Sequence, residues 1–361
     1  MRFALITTNL RGGGAEKAML KLAALLIERG HETHFVLLEH LIEHEVPADV
    51  RLTALTGLGT PVGKGFVGKY LLAWRLKRLV WRLTIEQPFD LILSTLPFAD
   101  EVCKMASLPR CWHRIANTFS AEIDRLAERH PGKAARRRNK YRRIYAGGRL
   151  IAVSDGVADN LRQLGITAKR IERIYNPFDA PAILAKAKEP ATLPEAPYIV
   201  HVGRFSPQKR HDLLLDAFRT LPATHRLVLL CHDDSALRTL IGERNLENRV
   251  MIAGFQSNPY PWIADADLLV LCSDHEGMPN VLIEALLLDT PVVSTDCPSG
   301  PREVLQNGRY GKLVPCNDAS ALARAMNEAL AEPLGKPSFD PSPFLPKAAA
   351  EKLEQLAKEA D

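Results

Sequence analysis

The sequence predicts an α/β protein built from two doubly wound, Rossmann-like domains, each a parallel sheet with helices on both faces. Three observations predict it. Short apolar strand-like runs alternate with Ala/Leu-rich helical stretches from the first residues onward. The alternation stops in a cluster of prolines and then starts again. The 361 residues also exceed the roughly 100–200 that a single core needs.

In chain order, Phe3-Ala4-Leu5-Ile6 reads as a strand, a glycine-rich turn follows, a helix runs from about Ala15 to Arg29, and His34–Leu38 is the next strand. Leu91-Ile92-Leu93, after Pro88-Phe89-Asp90, and Leu150–Val153, before Ser154-Asp155, continue the sheet. Pro177, Pro181, Pro190, Pro194 and Pro197 break both periodicities, so residues 1–176 form a first domain and 177–197 a linker. A second domain, 198–335, has strands at Tyr198–Val202, Leu227–Leu230, Val250–Ile252, Leu268–Leu271 and Pro291–Ser294, with helices at Asp212–Arg219 and Val281–Leu288. A further proline-rich stretch, Pro333 to Pro346, leads to a terminal helix within 347–361 that is expected to pack back on the first domain. Ligands of such sheets bind beyond the carboxyl ends of the strands.

Composition narrows the function classes. With 46% apolar and 25% charged residues the chain is not globally disordered. No apolar run approaches the roughly 18–20 residues of a membrane span, and no small-residue cleavage site follows the first strand, so a cytoplasmic location is expected. The six cysteines form no Cys-x-x-Cys pair and read as reduced packing residues. His31-x-x-His34 and His40-x-x-x-His44 lack a companion ligand at metalloprotease spacing and read as solvated or hydrogen-bonded; no metal site is expected. Residues 1–180 carry 29 Lys and Arg against 18 Asp and Glu, a net +11, whereas 181–361 carry 18 against 24, a net −6. The halves face different partners.

The chemistry concentrates in Ser273-Asp274-His275-Glu276-Gly277-Met278-Pro279-Asn280-Val281-Leu282-Ile283-Glu284-Ala285. A buried strand ends, a loop follows, and Pro279 opens an apolar helix. That helix start would set the Asn280-Val281-Leu282 backbone against a phosphate or sugar oxygen. Glu276 and Glu284 can accept hydrogen bonds from neighbouring diol hydroxyls, or they are two solvated acids flanking a helix. Gly12-Gly13-Gly14 fits neither a dinucleotide Gly-x-Gly-x-x-Gly motif nor a P-loop. It reads as a tight turn or as backbone approaching donor phosphate or acceptor.

The run Glu276–Ala285, followed by Thr290-Pro291-Val292-Val293-Ser294-Thr295-Asp296-Cys297-Pro298-Ser299-Gly300-Pro301-Arg302-Glu303, resembles the signature of the retaining glycosyltransferases of family 4, which have the GT-B fold. Val202–Lys209, Ala152–Val157, Ile174–Asp179 and Gly12–Lys17 extend the resemblance over nearly the whole chain in family order, with a weaker match between about Val46 and Gly148. The resemblance implies two Rossmann-like domains facing a deep interdomain cleft, an acceptor-binding first domain and a donor-binding second one. It implies that Glu284 binds the ribose hydroxyls of a nucleotide sugar, that Glu276 contacts the transferred hexose, and that Arg204 and Lys209 hold the diphosphate. Gly13, Gly14, Gly277, Met278, Pro279, Asn280, Val281 and Leu282 complete the donor set. Two cations and a helix N-terminus can stabilise a departing diphosphate without a metal ion, although Lys209-Arg210-His211 also reads as a solvated basic turn. In the resemblance, the loop Gly254–Asn258 reads a uracil edge; Phe255 is a base contact or a packing residue, and Asn258 a contact or a cap for the helix at Pro259–Asp265.

On the acceptor side, Trp112–Phe119 offers His113, Arg114 and Asn117, either near the reacting sugar or in a surface loop. Two basic stretches account for the charge of the first half: Lys69–Leu83, amphipathic with Trp74 and Trp81, and Lys133–Arg143, with seven cations in eleven residues. Each is a solvated helix face or a contact for an anionic membrane surface or lipid-linked phosphates, where a cation adds about 1 kcal/mol; no nucleic-acid reader motif accompanies them. The expected activity is transfer of a hexose from a nucleotide sugar, a UDP-sugar first, to a glycan or lipid-linked acceptor with retention, in cell-surface polysaccharide or lipopolysaccharide synthesis. No cofactor is expected, and the enzyme would sit in the cytoplasm or on the inner face of its membrane. The rivals are a nucleotide-sugar epimerase of the same fold and a non-catalytic basic membrane-docking module.

Overall fold

The computed structural model describes residues 1–11, 14–63, 65–85, 87–195, 197–331 and 338–359. They divide into two units: Met1–Pro177 together with the segment from Phe344 onward, and Phe178–Pro343.

The first unit runs β1 (Arg2–Thr7), α1 (Gly14–Glu28), β2 (Glu32–Leu37), β3 (Arg51–Ala54), α2 (Phe66–Leu83), β4 (Leu91–Thr95), α3 (Pro97–Ala106), β5 (Cys111–Ile115), α4 (Phe119–Arg129), α5 (Pro131–Tyr145), β6 (Arg149–Ala152), α6 (Asp155–Gln163) and β7 (Arg170–Arg173). Its strands are parallel in the order β3-β2-β1-β4-β5-β6-β7, with Phe3 of β1 opposite Thr33 on one side and Leu91 on the other. Both faces of β1 are covered, which is why its sequence is a continuous apolar run rather than an alternating one. Phe3 and Leu5 pack into a core with Leu22 and Leu26 of α1, whereas Ala4 and Ile6 pack into another with Leu72 and Leu76 of α2.

The second unit runs α7 (Ala180–Lys186), β8 (Tyr198–Val202), α8 (His211–Phe218), β9 (Arg226–Leu230), α9 (Ser235–Gly242), β10 (Val250–Ile252), α10 (Tyr260–Ala264), β11 (Leu268–Leu271), α11 (Asn280–Leu287), β12 (Val292–Thr295), α12 (Pro301–Val304), β13 (Lys312–Val314) and α13 (Ala319–Ala331). The strand order is β10-β9-β8-β11-β12-β13, again parallel. In each sheet the order reverses once, between β1 and β4 and between β8 and β11. Two successive connections leave in opposite directions there and open a crevice at the strands' carboxyl ends.

The proline cluster is not simply a linker. Asp179 accepts from the Ala182 N–H at 3.0 Å and Pro181 sits in the first turn of α7, where its missing donor costs nothing. The helix packs on α10 and α11 of the second unit. The last helix, α14 (Pro346–Lys358), packs on α1 as expected: Leu353 and Leu356 are buried in the core that holds Leu22 and Leu26. Glu354 receives Arg29 Nε at 2.6 Å and His31 Nε2 at 2.8 Å, and the Arg29 hydrogen bond leads in holding its carboxyl down to about 2. His31 and His34 are thus hydrogen-bonded, the latter to Thr53 Oγ1 at 2.9 Å. The six thiols are free and at least half-buried.

Candidate functional site

The reversal between β8 and β11 puts two loops side by side, Gly203–Arg210 after β8 and Cys272–Pro279 after β11. Backbone and side chain stitch them together: the Asp274 N–H donates to Gln208 O at 2.9 Å, and Gln208 Nε2 donates to His275 O at 2.8 Å. Across this seam Lys209 Nζ meets Glu276 Oε1 at 2.6 Å, with both side chains largely buried. Gly203 makes the geometry possible, since a Cβ there would lie 3.3 Å from the Lys209 stem and 3.4 Å from His201 Nε2. Arg210, in the left-handed region at φ 48°, joins Asp212, Asp274 at 2.8 Å and Asn317. The basic turn is therefore paired structure and not a solvated one. Arg204 is exposed, and among the described residues no hydrogen bond or ion pair engages its guanidinium.

The predicted helix start is α11, with no side-chain cap. Gly300, at φ 98°, lets the next loop close over it: a Cβ there would stand 2.3 Å from Pro279 Cδ. The Glu276 N–H donates to Pro298 O at 3.2 Å, so Glu276 and Gly277 are held between two loops. The amide cradle is smaller than expected. Leu282 donates its N–H to Pro279 O at 3.0 Å, and the side chains of Met278, Val281 and Leu282 are buried packing groups. Glu284 lies one helix face along, with the Tyr260 hydroxyl 3.5 Å from its Oε1. Burial, then the Glu284 charge, pushes the Tyr260 phenol above its ordinary range. Sequence reading did not single out Tyr260; its place directly after Asn258-Pro259, at a helix start, was the available signal.

Phe255 is not a packing residue. It is 61% exposed and stacks on His232, ring centroids 5.4 Å apart at 14°. Asn258 does cap: its Oδ1 accepts from the Tyr260 N–H at 3.2 Å, while its Nδ2 donates to Lys186 O at 2.9 Å, at the end of α7.

Behind Lys209 lie two further groups: His201, which sequence reading passed over, and His211, which it read only as part of a basic turn. His201 and His211 are buried with ring centroids 4.8 Å apart, and His201 Nε2 and both ring nitrogens of His211 have no partner among the described residues. Burial, then the Lys209 charge, lowers His211 to about 4; burial first, then His211, puts His201 well below its ordinary value. Both are neutral, so Arg204, Lys209 and Arg210 carry the positive charge of this loop.

In the first unit the acceptor-side candidates do not converge. Trp112–Ile115 is not a surface loop but β5, and His113 and Arg114 are buried on it. His113 is corrected from a group near the reacting sugar to a member of an internal network: its Nδ1 lies 2.7 Å from Ser94 Oγ and 3.5 Å from Asp100 Oδ1. Ser94 and Tyr145 also donate to Asp100, at 2.5 and 2.8 Å. Arg114 donates to Asn176 Oδ1, and burial lowers it to about 10. Asn117 alone lies beyond the carboxyl end of β5, exposed, with its Oδ1 accepting from the Thr118 N–H at 2.8 Å. Gly14 opens α1, exposed; Gly13 lies outside the described residues.

Comparison with known proteins covers both units. A family model described as Glycosyltransferase Family 4 matches residues 12–180, and one described as Glycosyl transferases group 1 matches residues 196–332. The chain is 28% identical over 338 residues to the N-acetylgalactosamine-N,N'-diacetylbacillosaminyl-diphospho-undecaprenol 4-alpha-N-acetylgalactosaminyltransferase of Campylobacter jejuni, a match covering 89% of this chain and 88% of that protein. It is 27% identical over 332 residues to the lipopolysaccharide core biosynthesis glycosyltransferase LpsE of Rhizobium meliloti, covering 89% and 87%. Among solved structures it is similar to Anabaena HepE in complex with UDP and glucose, with a TM-score of 0.76 and 20% identity over 99% of this chain and 100% of that one. The two parallel sheets with alternating helices have the expected GT-B fold. Matched in chain order over both halves, the protein belongs to the family 4 glycosyltransferases and is a transferase.

Proposed function

We propose that this enzyme transfers a hexose from a UDP-sugar to a glycan or lipid-linked acceptor with retention of configuration, in the synthesis of a bacterial surface polysaccharide or lipopolysaccharide. The observation that carries the reading is the Lys209–Glu276 pair at the carboxyl ends of β8 and β11, in front of the uncapped start of α11. A diphosphate placed there draws Lys209 and Arg204 to its oxygens, and Glu276, released from the ion pair, accepts from hexose hydroxyls. Glu284 and Tyr260 take the ribose, and Phe255 offers a ring face to the base. The leaving diphosphate needs positive charge as its bond breaks, and two cations with a helix end supply it without a metal ion or other cofactor. The leaving phosphate oxygen takes the acceptor's proton as the new glycosidic bond forms on the same face, so no protein base is required. The HepE complex with UDP and glucose and the undecaprenol-linked substrate in the name of the Campylobacter relative support donor and acceptor class.

Membrane contact belongs to this reading through α2. No helix among the described residues is long and apolar enough to cross a membrane, but α2 exposes Phe66, Tyr70, Trp74 and Trp81 beside Arg75, Lys77, Arg78 and Arg82. Aromatic rings and cations on one helix surface suit an anionic interface. The cations of α5 divide: Arg137 pairs with Glu122, Lys140 with Glu101 and Arg142 with Leu164 O, whereas Lys133, Arg136 and Arg143 are exposed with no side-chain partner among the described residues and belong to the same reading.

The test is calorimetric titration of UDP with chelator present throughout, on the wild type and Glu284→Ala, followed by assignment of the product anomer. Wild-type binding that weakens about ten-fold in the variant, roughly 1.4 kcal/mol, is expected. Absence of wild-type UDP binding overturns the uridine assignment.

A further inference from the structure

The first unit has a second concave site, on the opposite edge of its sheet from the carboxyl ends. A cavity of about 350 Å³ lies under the amino ends of β5, β6 and β7 and the last turns of α3 and α5. Lys104, Arg110, Arg149 and Lys169 line it, and no Asp or Glu is among the described residues that do. Part of this charge is already answered. Lys104 Nζ donates to Arg143 O and Ala146 O, both at 2.8 Å, at the carbonyl end of α5, and Arg110 stands 3.9 Å from Asp90. Lys169 is exposed, and its ammonium has no partner among the described residues.

His113 makes this a built site. The ring is 5% exposed, its Nδ1 is fixed by Ser94 and Asp100, and its far edge faces the cavity, with Cδ2 3.5 Å from where a Gly148 Cβ would stand. Nε2 has no partner among the described residues, yet it is not sealed from solvent. Burial opposes a charge on this ring, but the Cys111 sulfur and the hydrogen-bonded Asp100 carboxylate outweigh it and lift His113 to about 9. At neutral pH the ring therefore presents an N–H donor into a cavity rimmed by cations. Gly148, Gly147 and Ala146 leave the backbone bare on that side and keep the mouth open.

We propose that this cavity is a phosphate-monoester site, with His113 Nε2–H and the Arg110 and Lys169 side chains as the donors to its oxygens. A tetrahedral dianion offers three oxygens to donors from β5, the turn before it and the loop before β7, and charge-assisted hydrogen bonds of this type are the strong ones. The volume leaves room for a group attached to the phosphate. A lipid phosphate headgroup and a soluble phosphate ester share this chemistry. The site is independent of the donor reading, because every residue in it belongs to the first unit and Lys209 and Glu276 belong to the second.

Histidine-labelled full-length protein is titrated with inorganic phosphate at constant ionic strength set with chloride. The readout is the His113 ring resonance, identified by its contact with the Tyr145 ring, 5.9 Å away. A saturable shift is expected, at least five-fold weaker in Lys169→Glu and intermediate in Lys169→Ala; both change an exposed loop side chain and should leave the thermal midpoint without phosphate unaltered. Phosphate bound at the donor site leaves this resonance in place. Dihexanoyl phosphatidic acid below its micelle concentration separates the sources: binding ten-fold tighter than inorganic phosphate assigns a lipid headgroup, and equal or weaker binding assigns a soluble ester. A shift that does not saturate, or one identical in wild type and both variants, overturns the proposal.

Discussion

The second sheet repeats the order and reversal point of the first six strands of the first sheet, which adds β7 at its edge, yet the two handle buried charge in opposite ways. At the reversal in the second sheet, opposite charges meet in a half-open seam, Lys209 on Glu276, and the histidines behind them are kept neutral by burial and by the neighbouring cation. In the first sheet the strand beside the reversal, β4, carries Ser94 toward a buried Asp100, and His113 is kept cationic there. Burial with a lysine nearby strips a proton from an imidazole, and Cys111 with the Asp100 carboxylate keeps one on His113. Strand order fixes where the crevice opens, and the charges packed around each histidine set its protonation.

The largest expected effect breaks the comparison at its charged seam. Lys209→Ala should lower kcat/KM with a UDP-sugar 100-fold or more, the scale of removing one donor from a developing negative charge, while Arg142→Ala, an equally basic change in the first unit, should leave it within two-fold. Next is Gly300→Ala. Its φ of 98° and the 2.3 Å approach to Pro279 leave no room for a methyl group, so urea unfolding should show a loss of about 2–4 kcal/mol, with donor affinity falling alongside. Asn117→Ala tests the first unit's remaining acceptor-side candidate. About ten-fold loss in kcat with unchanged UDP affinity and unchanged urea midpoint is expected; a loss confined to stability would make it structural.

The smallest effect is a pair of opposite pH slopes. His211 at about 4 binds its proton more readily in the unfolded chain, so its contribution is full above pH 6.5 and lost as the pH falls through 4. His113 at about 9 contributes fully below pH 6.5 and loses that contribution as the pH rises through 9. Urea midpoints from pH 4 to 10 should therefore fall at both ends, with His211→Gln flattening the acid side and His113→Gln the alkaline side. Both variants flattening the same side would refute the opposite charge states.

Strands buried on both faces were legible almost residue by residue: Leu227–Leu230 and Leu268–Leu271 are apolar runs because both faces are covered. Edge strands divide. The apolar Val250–Ile252 was legible, whereas β3, β7 and β13, also three or four residues long, carry charged side chains, which suits an edge and hides it in a sequence. β5 was missed for another reason, since His113 and Arg114 look like loop residues until Ser94, Asp100 and Asn176 are there to pair them.

The sequence by itself determined the two parallel-sheet units, the family and the motif that carries Glu276 and Glu284, because backbone periodicity, a proline at a helix start and short-range spacing are local properties. Tertiary structure alone decided that Lys209 reaches Glu276 across 67 residues, that Phe255 is exposed, and that His113 turns inward and not toward an acceptor. The physical reason is that pairing, burial and charge state depend on which strands lie side by side, and strand order is a long-range outcome that no window of sequence contains.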